Sequence, residues 1–164
     1  MSETTSKHFG GLALAFAAVV VVLDQASKYW IVEGLGLTTH QSLPLLGPLR
    51  ATLVWNPGVS FGIFNDNPEL ARWPLTIFGF GMAAALAWWA RKADRRLTAV
   101  ALACIMGGAV GNAIDRIRYG SVVDFIDVGA ALPFPWVFNI ADAAINIGVG
   151  LLILDALRRE RTPG

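Results

Sequence analysis

Residues 9–23 carry no charged or amide side chain, and three later stretches of the chain are nearly as apolar. A helix needs about 18–20 such residues to cross the hydrocarbon core of a bilayer. Windows at 9–32, 73–90, 97–114 and 137–157 meet that length. Inside lipid the backbone must satisfy its own N–H and C=O groups, so apolar runs of this length become helices. Composition agrees: 55% of the 164 residues are hydrophobic and 15% charged, against about a quarter charged in soluble domains. The expected fold is an all-α integral membrane protein, a single membrane domain over residues 1–164 with four transmembrane helices. Lys7 before the first window could mark a cleavable leader, but no small-x-small cleavage site follows. The first window therefore reads as a retained span.

Basic residues orient the spans. Lys7 precedes the first, Arg91, Lys92, Arg95 and Arg96 join the second to the third, and Arg158, Arg159 and Arg161 follow the fourth. With an even number of spans these segments share one side, the cytoplasm, and both termini lie there. Trp30, Trp73 and Trp136 fall near the outer helix ends and Trp88 and Trp89 near an inner one, as an aromatic belt requires. Asp155, beside Arg158 and Arg159, reads as a solvated interfacial charge. The extracytoplasmic connections are then about 33–72 and 115–136. In the first, the β-prone runs 51–55 and 59–64 flank the turn signal Asn56-Pro57-Gly58. A small β element in the extracytoplasmic loop, lying on the membrane surface, is expected. Pro74 is expected at a first-turn position of the second span, where proline is tolerated.

Polar residues interrupt the spans in a pattern. Asp24 and Lys28, four apart, share a face of the first helix near its outer end. Gly108, Asn112, Asp115 and Arg116 make one stripe on the third, and Asn139, Asp142 and Asn146 one on the fourth. An ionisable group within a span costs several kcal/mol and normally faces a partner or a wet cavity. Asp24 and Lys28 fit a structural polar pair, and Asp115 with Arg116 either a structural ion pair or an anchor for substrate backbone. Gly107 and Gly111 permit close helix packing.

Asp115, Asp124, Asp127 and Asp142 all map to the outer side. No Ser–His pair accompanies them, and the lone Cys104 excludes an intramolecular disulfide and a Cys-based zinc site. His8 and His40 are too far apart in sequence to read as a metal-ligand pair, and no cofactor is expected. A net charge of +1 gives no reason to expect nucleic acid. Hydrolysis here would run on carboxylates. Two aspartates sharing a site split their proton affinities, so one draws a proton from water while the other polarises a carbonyl. Periodicity leaves the partner of Asp142 open among Asp115, Asp124 and Asp127.

Five segments in order resemble the motifs of the bacterial lipoprotein signal peptidases, the type II signal peptidases. They are Asp24-Gln25-Ala26-Ser27-Lys28, Asn56-Pro57-Gly58-Val59-Ser60-Phe61-Gly62, Gly107-Gly108-Ala109-Val110-Gly111-Asn112-Ala113-Ile114-Asp115-Arg116, Val123-Asp124-Phe125-Ile126-Asp127 and Phe138-Asn139-Ile140-Ala141-Asp142. Pro57 and Ser60 depart from the Thr and Ala more usual there. The resemblance implies an aspartic endopeptidase of the cell inner membrane, with its active site at the extracytoplasmic face. It would remove signal peptides from prolipoproteins, cutting before the diacylglyceryl-modified cysteine, and globomycin-type inhibitors would block it. The resemblance places the catalytic pair on Asp124 and Asp142. Asn56, Gly108, Asn112, Asp115, Arg116, Asn139 and Ala141 become substrate-binding or dyad-supporting positions. Two other readings predict different chemistry. A small ion or proton transporter would carry polar residues through the whole thickness of its helices, whereas the inner halves of the last three spans are apolar. A Mg²⁺-dependent lipid-modifying enzyme would lose activity in a chelator.

Overall fold

The computed structural model describes residues 9–58, 69–129 and 136–160. Lys7, His8, the run 59–64 with Ser60, and Arg161 lie outside the described residues. Helix α1 (Gly10–Tyr29) continues through a π-helical turn at Trp30–Gly34. Strands β1 (Ser42–Leu46) and β2 (Leu49–Asn56) follow, then helices α2 (Glu69–Ala90) and α3 (Arg96–Tyr119). Strands β3 (Val122–Asp127) and β4 (Val137–Phe138) lead into α4 (Ile140–Glu160). All four helices are long and apolar enough to cross a membrane, so the chain is a multi-pass membrane protein with a small sheet at one end.

The helices pack with small residues inward and large ones outward. On α1 the buried positions Gly10, Ala13, Ala17, Val20, Asp24 and Lys28 recur at three- and four-residue spacing. Leu12, Leu14, Phe16, Val19, Val22 and Leu23 of the same helix face out. Lipid tails are as apolar as leucine, so burying leucine between helices gains little there; close backbone approach gains dispersion contacts. Helix α3 is the centre of the bundle, its Ala99, Ala101, Leu102, Ala103, Met106 and Ala113 all buried. Gly107 lies against Ala17 and Val20 of α1, and Gly148 of α4 against Ala101 of α3.

Helix α2 begins at Glu69, a turn before the hydropathy window, so the placing of Pro74 in a first turn is corrected: it lies inside the helix. The early start has a use. Arg72 reaches the C-terminal end of α3, where Nε donates to the Arg116 carbonyl oxygen at 2.8 Å and Nη2 to that of Ile117 at 2.9 Å. A cation on last-turn carbonyls stabilises a helix end. Gly120 stops α3 in the left-handed conformation (φ 79°), its N–H donating to the Arg116 carbonyl.

The sheet has the order β1-β2-β3-β4, all pairs antiparallel. Among the described residues, β2 pairs with the upstream segment β1 and with β3 across an irregularity between Ala51 and Val54. Pro44 fits β1 because an edge strand can lack a ladder donor. One sheet face buries Ala51, Leu53, Val123 and Phe125 with Ile31 and Leu37. Thr52, Val54, Asn56 and Asp124 instead line an open cleft over the sheet.

At the opposite end, the expectation that Asp155 is a solvated charge is corrected. It is buried, accepting from Thr98 Oγ1 at 2.8 Å and from Arg95 Nη1 and Arg159 Nε at 3.2 Å each. The α2–α3 connection folds over the last turns of α4, a contact that neighbours in sequence do not disclose.

Candidate active site

Asp124 stands on β3 next to the end of α3, and Asp142 in the first turn of α4. Two asparagines join them. Asn139 donates from Nδ2 to Asp124 Oδ1 at 2.7 Å, and its Oδ1 accepts the Asp142 N–H at 2.8 Å. That N–H contact is an N-cap arrangement, and it fixes which side of the Asn139 amide carries the donor. Asn112, on α3, donates from Nδ2 to Asp142 Oδ1 at 2.8 Å, while its Oδ1 accepts from Asn139 Nδ2 at 3.2 Å and Lys28 Nζ at 3.1 Å. Asn56, at the end of β2, donates to Asp124 Oδ2 at 2.9 Å, and its own Oδ1 accepts the Gly58 N–H at 2.8 Å. Each amide is thus held from behind and presents N–H to a carboxylate.

Asp124 is 2% exposed. Burial pushes its carboxyl up from the ordinary 3.8 to about 6; the Asn56 amide opposes that shift, the Asp142 carboxylate adds to it, and Asn139 and Lys28 oppose it. Asp142 is half-buried and borders a cavity of about 350 Å³ with Trp136, Phe138, Ile145 and Asn146. A second cleft of about 480 Å³, with His40, Thr52 and Val54 in its wall, opens over the sheet beside Asp124. On the helix side an apolar groove of about 460 Å³ runs between α2, α3 and α4 past Phe78, Met82 and Val149. Asn112 and Arg116 stand among its lining residues.

The remaining expected residues divide into two groups. Asp127 is held within the sheet and the turn after β3. It accepts from Thr52 Oγ1 at 2.6 Å and from the Gly129 N–H at 2.8 Å, and these bonds hold its carboxyl below the ordinary range. Asp115 is fully buried and pairs with Lys28 at 2.7 Å, so of the two readings of Asp115 with Arg116 the ion pair is corrected, and the substrate anchor stays a proposal. Successive helix positions lie about 100° apart, so Asp115 faces α1 while Arg116 faces the groove. Arg116 Nη1 donates to the Asn112 carbonyl oxygen at 3.3 Å, and its buried Nε has no acceptor among the described residues. Asp24 and Lys28 pair at 2.8 Å, as their spacing implies. Gly108 and Ala141 meet at the α3–α4 crossing. Gln25 escaped singling out, although it lies between Asp24 and Lys28. Its Nε2 donates to Asp115 Oδ1 at 2.8 Å and to the Gly111 carbonyl at 3.1 Å. Among the described residues no three His, Cys, Asp or Glu side chains gather as a metal site.

The signal peptidase (SPase) II family matches residues 16–158. The chain belongs to the signal peptidase II family. It is therefore a membrane-embedded protease. The lipoprotein signal peptidase of Caulobacter vibrioides is 53% identical over 152 residues, covering 92% of this chain and 89% of that one. That of Methylorubrum extorquens is 48% identical over 139 residues, covering 84% and 81%. Two solved structures described as bacterial membrane enzymes determined by the in meso method, at 2.3 and 1.9 Å, superpose with TM-scores of 0.79 and 0.78 at 31% identity. They cover 93% and 94% of this chain, and 92% and 98% of their own. Likeness to the family thus extends over both the bundle and the sheet.

Proposed function

We propose that Asp124 and Asp142 form the catalytic dyad of an aspartic endopeptidase that releases signal peptides from prolipoproteins, cutting before a diacylglyceryl-modified cysteine. The observation that carries this reading is the pair of carboxylates joined through Asn112 and Asn139 between an apolar groove and an open cleft. Burial favours the protonated form of Asp124, which polarises the scissile carbonyl oxygen. Asp142, bordering the cavity beside Trp136 and Asn146, takes a proton from the attacking water. The water oxygen adds to the carbonyl carbon, and collapse of the tetrahedral adduct returns a proton to the departing cysteine amine.

The surroundings sort the substrate. Hydrocarbon belongs in the groove between α2, α3 and α4, where each buried methylene contributes about 0.8 kcal/mol. The signal segment and acyl chains lie on that side. The residues after the cysteine leave the bilayer and run over the polar cleft beside Thr52 and Asn56. Arg116, whose Nε has no partner among the described residues, donates to ester or peptide carbonyls at the head of the groove. The basic residues at the far end of the bundle favour a cytoplasmic position for that end, in a protein of the bacterial inner membrane. The dyad then faces the extracytoplasmic side, with both termini inside. Globomycin-type cyclic peptides would occupy the same space.

The test is purified protein in lipid, given one precursor with and without diacylglycerol. Selective cleavage before the lipidated cysteine, unchanged by EDTA, is expected. Equal cleavage of both precursors, or none by folded protein, would overturn the substrate reading. Loss of activity in EDTA restored by Mg²⁺ would replace the dyad by metal chemistry.

A further inference from the structure

Behind the dyad lies a charged cluster that takes no part in the chemistry above. Lys28 is 2% exposed, and Asp24 and Asp115 are fully buried. The three ammonium donors are matched by three acceptors: Asp24 Oδ2 at 2.8 Å, Asp115 Oδ2 at 2.7 Å and Asn112 Oδ1 at 3.1 Å. Gln25 joins both carboxylates from the side, at 3.2 and 2.8 Å. An ion cluster buried this deeply is costly to form, and a hydrophobic replacement is often at least as stable. Stability alone therefore gives a weak reason for placing it here.

The outward contacts supply a better one. Asp115 Oδ2 accepts the N–H of Val123, the residue before Asp124, at 3.0 Å. Asp24 Oδ1 accepts the N–H of Ala141, the residue before Asp142, at 2.9 Å. Gln25 Nε2 donates to the carbonyl of Gly111, the residue before Asn112. Lys28 itself holds the Asn112 oxygen, and so turns the Asn112 N–H toward Asp142. Each of these contacts ends on Asn112 or on the backbone next to a residue that makes or holds the dyad. The two carboxylates grip β3 and α4 one residue short of each catalytic aspartate, and one ammonium ties the two grips together.

We infer that Lys28 is a positioning residue for peptide hydrolysis, bridging Asp24 and Asp115 into a brace that fixes the spacing of Asp124 and Asp142 and the orientation of Asn112. The inference rests on the reading of Asp124 and Asp142 as the dyad. Lys28 touches neither substrate nor reacting atoms; it acts through Val123, Ala141 and Asn112. A displacement of about 1 Å in a catalytic group can cost on the order of a hundredfold in rate, while the apolar walls of the groove, such as Phe78, Met82 and Val149, stay as they are.

The experiment measures kcat and KM on a lipidated precursor, with the full-length protein in lipid and rates counted per folded molecule. Lys28→Met is expected to lower kcat about a hundredfold with KM unchanged. Gln25→Leu, which leaves every ion pair in place, is expected to lower kcat about tenfold in the same manner. A folded Lys28→Met with wild-type kcat, or with its whole effect in KM, would overturn the brace. Should Lys28→Met not accumulate as folded protein, Gln25→Leu decides: wild-type kcat there overturns the inference equally. Asp124→Asn and Asp142→Asn run alongside. If they retain activity the dyad reading itself fails, whereas dead dyad variants beside unimpaired brace variants sink the brace alone.

Discussion

Asp124→Asn and Asp142→Asn are each expected to insert, fold and lose turnover by on the order of 10⁴-fold, the scale on which single members of a catalytic unit act. A normal rate from either variant would remove that residue from the mechanism. The two differ in a second property. The Asp124 carboxyl is raised by burial from 3.8 to about 6, so the folded protein binds more protons at this site than the unfolded chain between those values. The contribution to stability is therefore fully present below about pH 4 and is lost as pH rises through about 6. A rise of about two pKa units corresponds to roughly 3 kcal/mol. The wild-type thermal midpoint is expected to fall across this window by an amount that Asp124→Asn abolishes. Parallel midpoint curves for wild type and Asp124→Asn would contradict the raised carboxyl. Activity follows the same proton. The proposed dyad works with one proton between its two carboxylates. Loss of that proton sets an alkaline limb on kcat/KM near pH 6 in the free enzyme. A profile flat across about pH 5–8 would sink the assignment of the shared proton to Asp124.

The sequence disclosed the spans because lipid imposes a rule on length and apolarity that needs no knowledge of neighbours. It disclosed the polar stripes for a related reason, since helical period states which residues share a face. Asp24 with Lys28 is such a case, a contact within one turn. What period cannot state is which faces meet. One reading of Asp115 pairs it with its neighbour Arg116, yet its ion-pair partner Lys28 belongs to another helix. The Ala141 N–H reaches Asp24 across 117 positions of chain, and no local pattern encodes such a bond. Of the two expected β-prone runs, 51–55 is found in β2 and 59–64 lies outside the described residues; β1, β3 and β4 fall outside both runs, and carry proline, aspartates or only two residues. In β1 and β4 strand character comes from sheet pairing more than from propensity, which is weak and dependent on context, whereas β3 carries the β-prone Val122, Val123, Phe125 and Ile126. Asp155 was misjudged for the same reason: its charge looked solvated until Thr98 and Arg95 folded over it. The motifs that mark the family do carry this long-range information, because they name together residues that only the fold brings together.

Gly108→Ala is the second change expected to have a large effect, and it acts on the dyad without altering a polar group. A Cβ at position 108 would fall onto the carbonyl oxygen of Ala141 and lie 2.7 Å from Ile145 Cγ1. The carbonyl is backbone in the first turn of α4 and cannot swing aside as a side chain would. Nor can that turn yield freely, because the Ala141 N–H is held by Asp24 and the Asp142 N–H by Asn139. Relief must come from separating α3 and α4 where Asn112 of one meets Asp142 of the other. Overpacking of this kind costs about 1–3 kcal/mol, and the displaced carboxylate should lower kcat about a hundredfold. Gly150→Ala is the matched control on α4, since a Cβ there meets nothing within 4 Å. It should leave kcat unchanged and raise stability slightly, as alanine favours a helix over glycine by about 1 kcal/mol. Thermal midpoints and kcat for both variants decide the matter. If Gly108→Ala kept both at wild-type values, close packing at the α3–α4 crossing would not be what sets the position of Asp142.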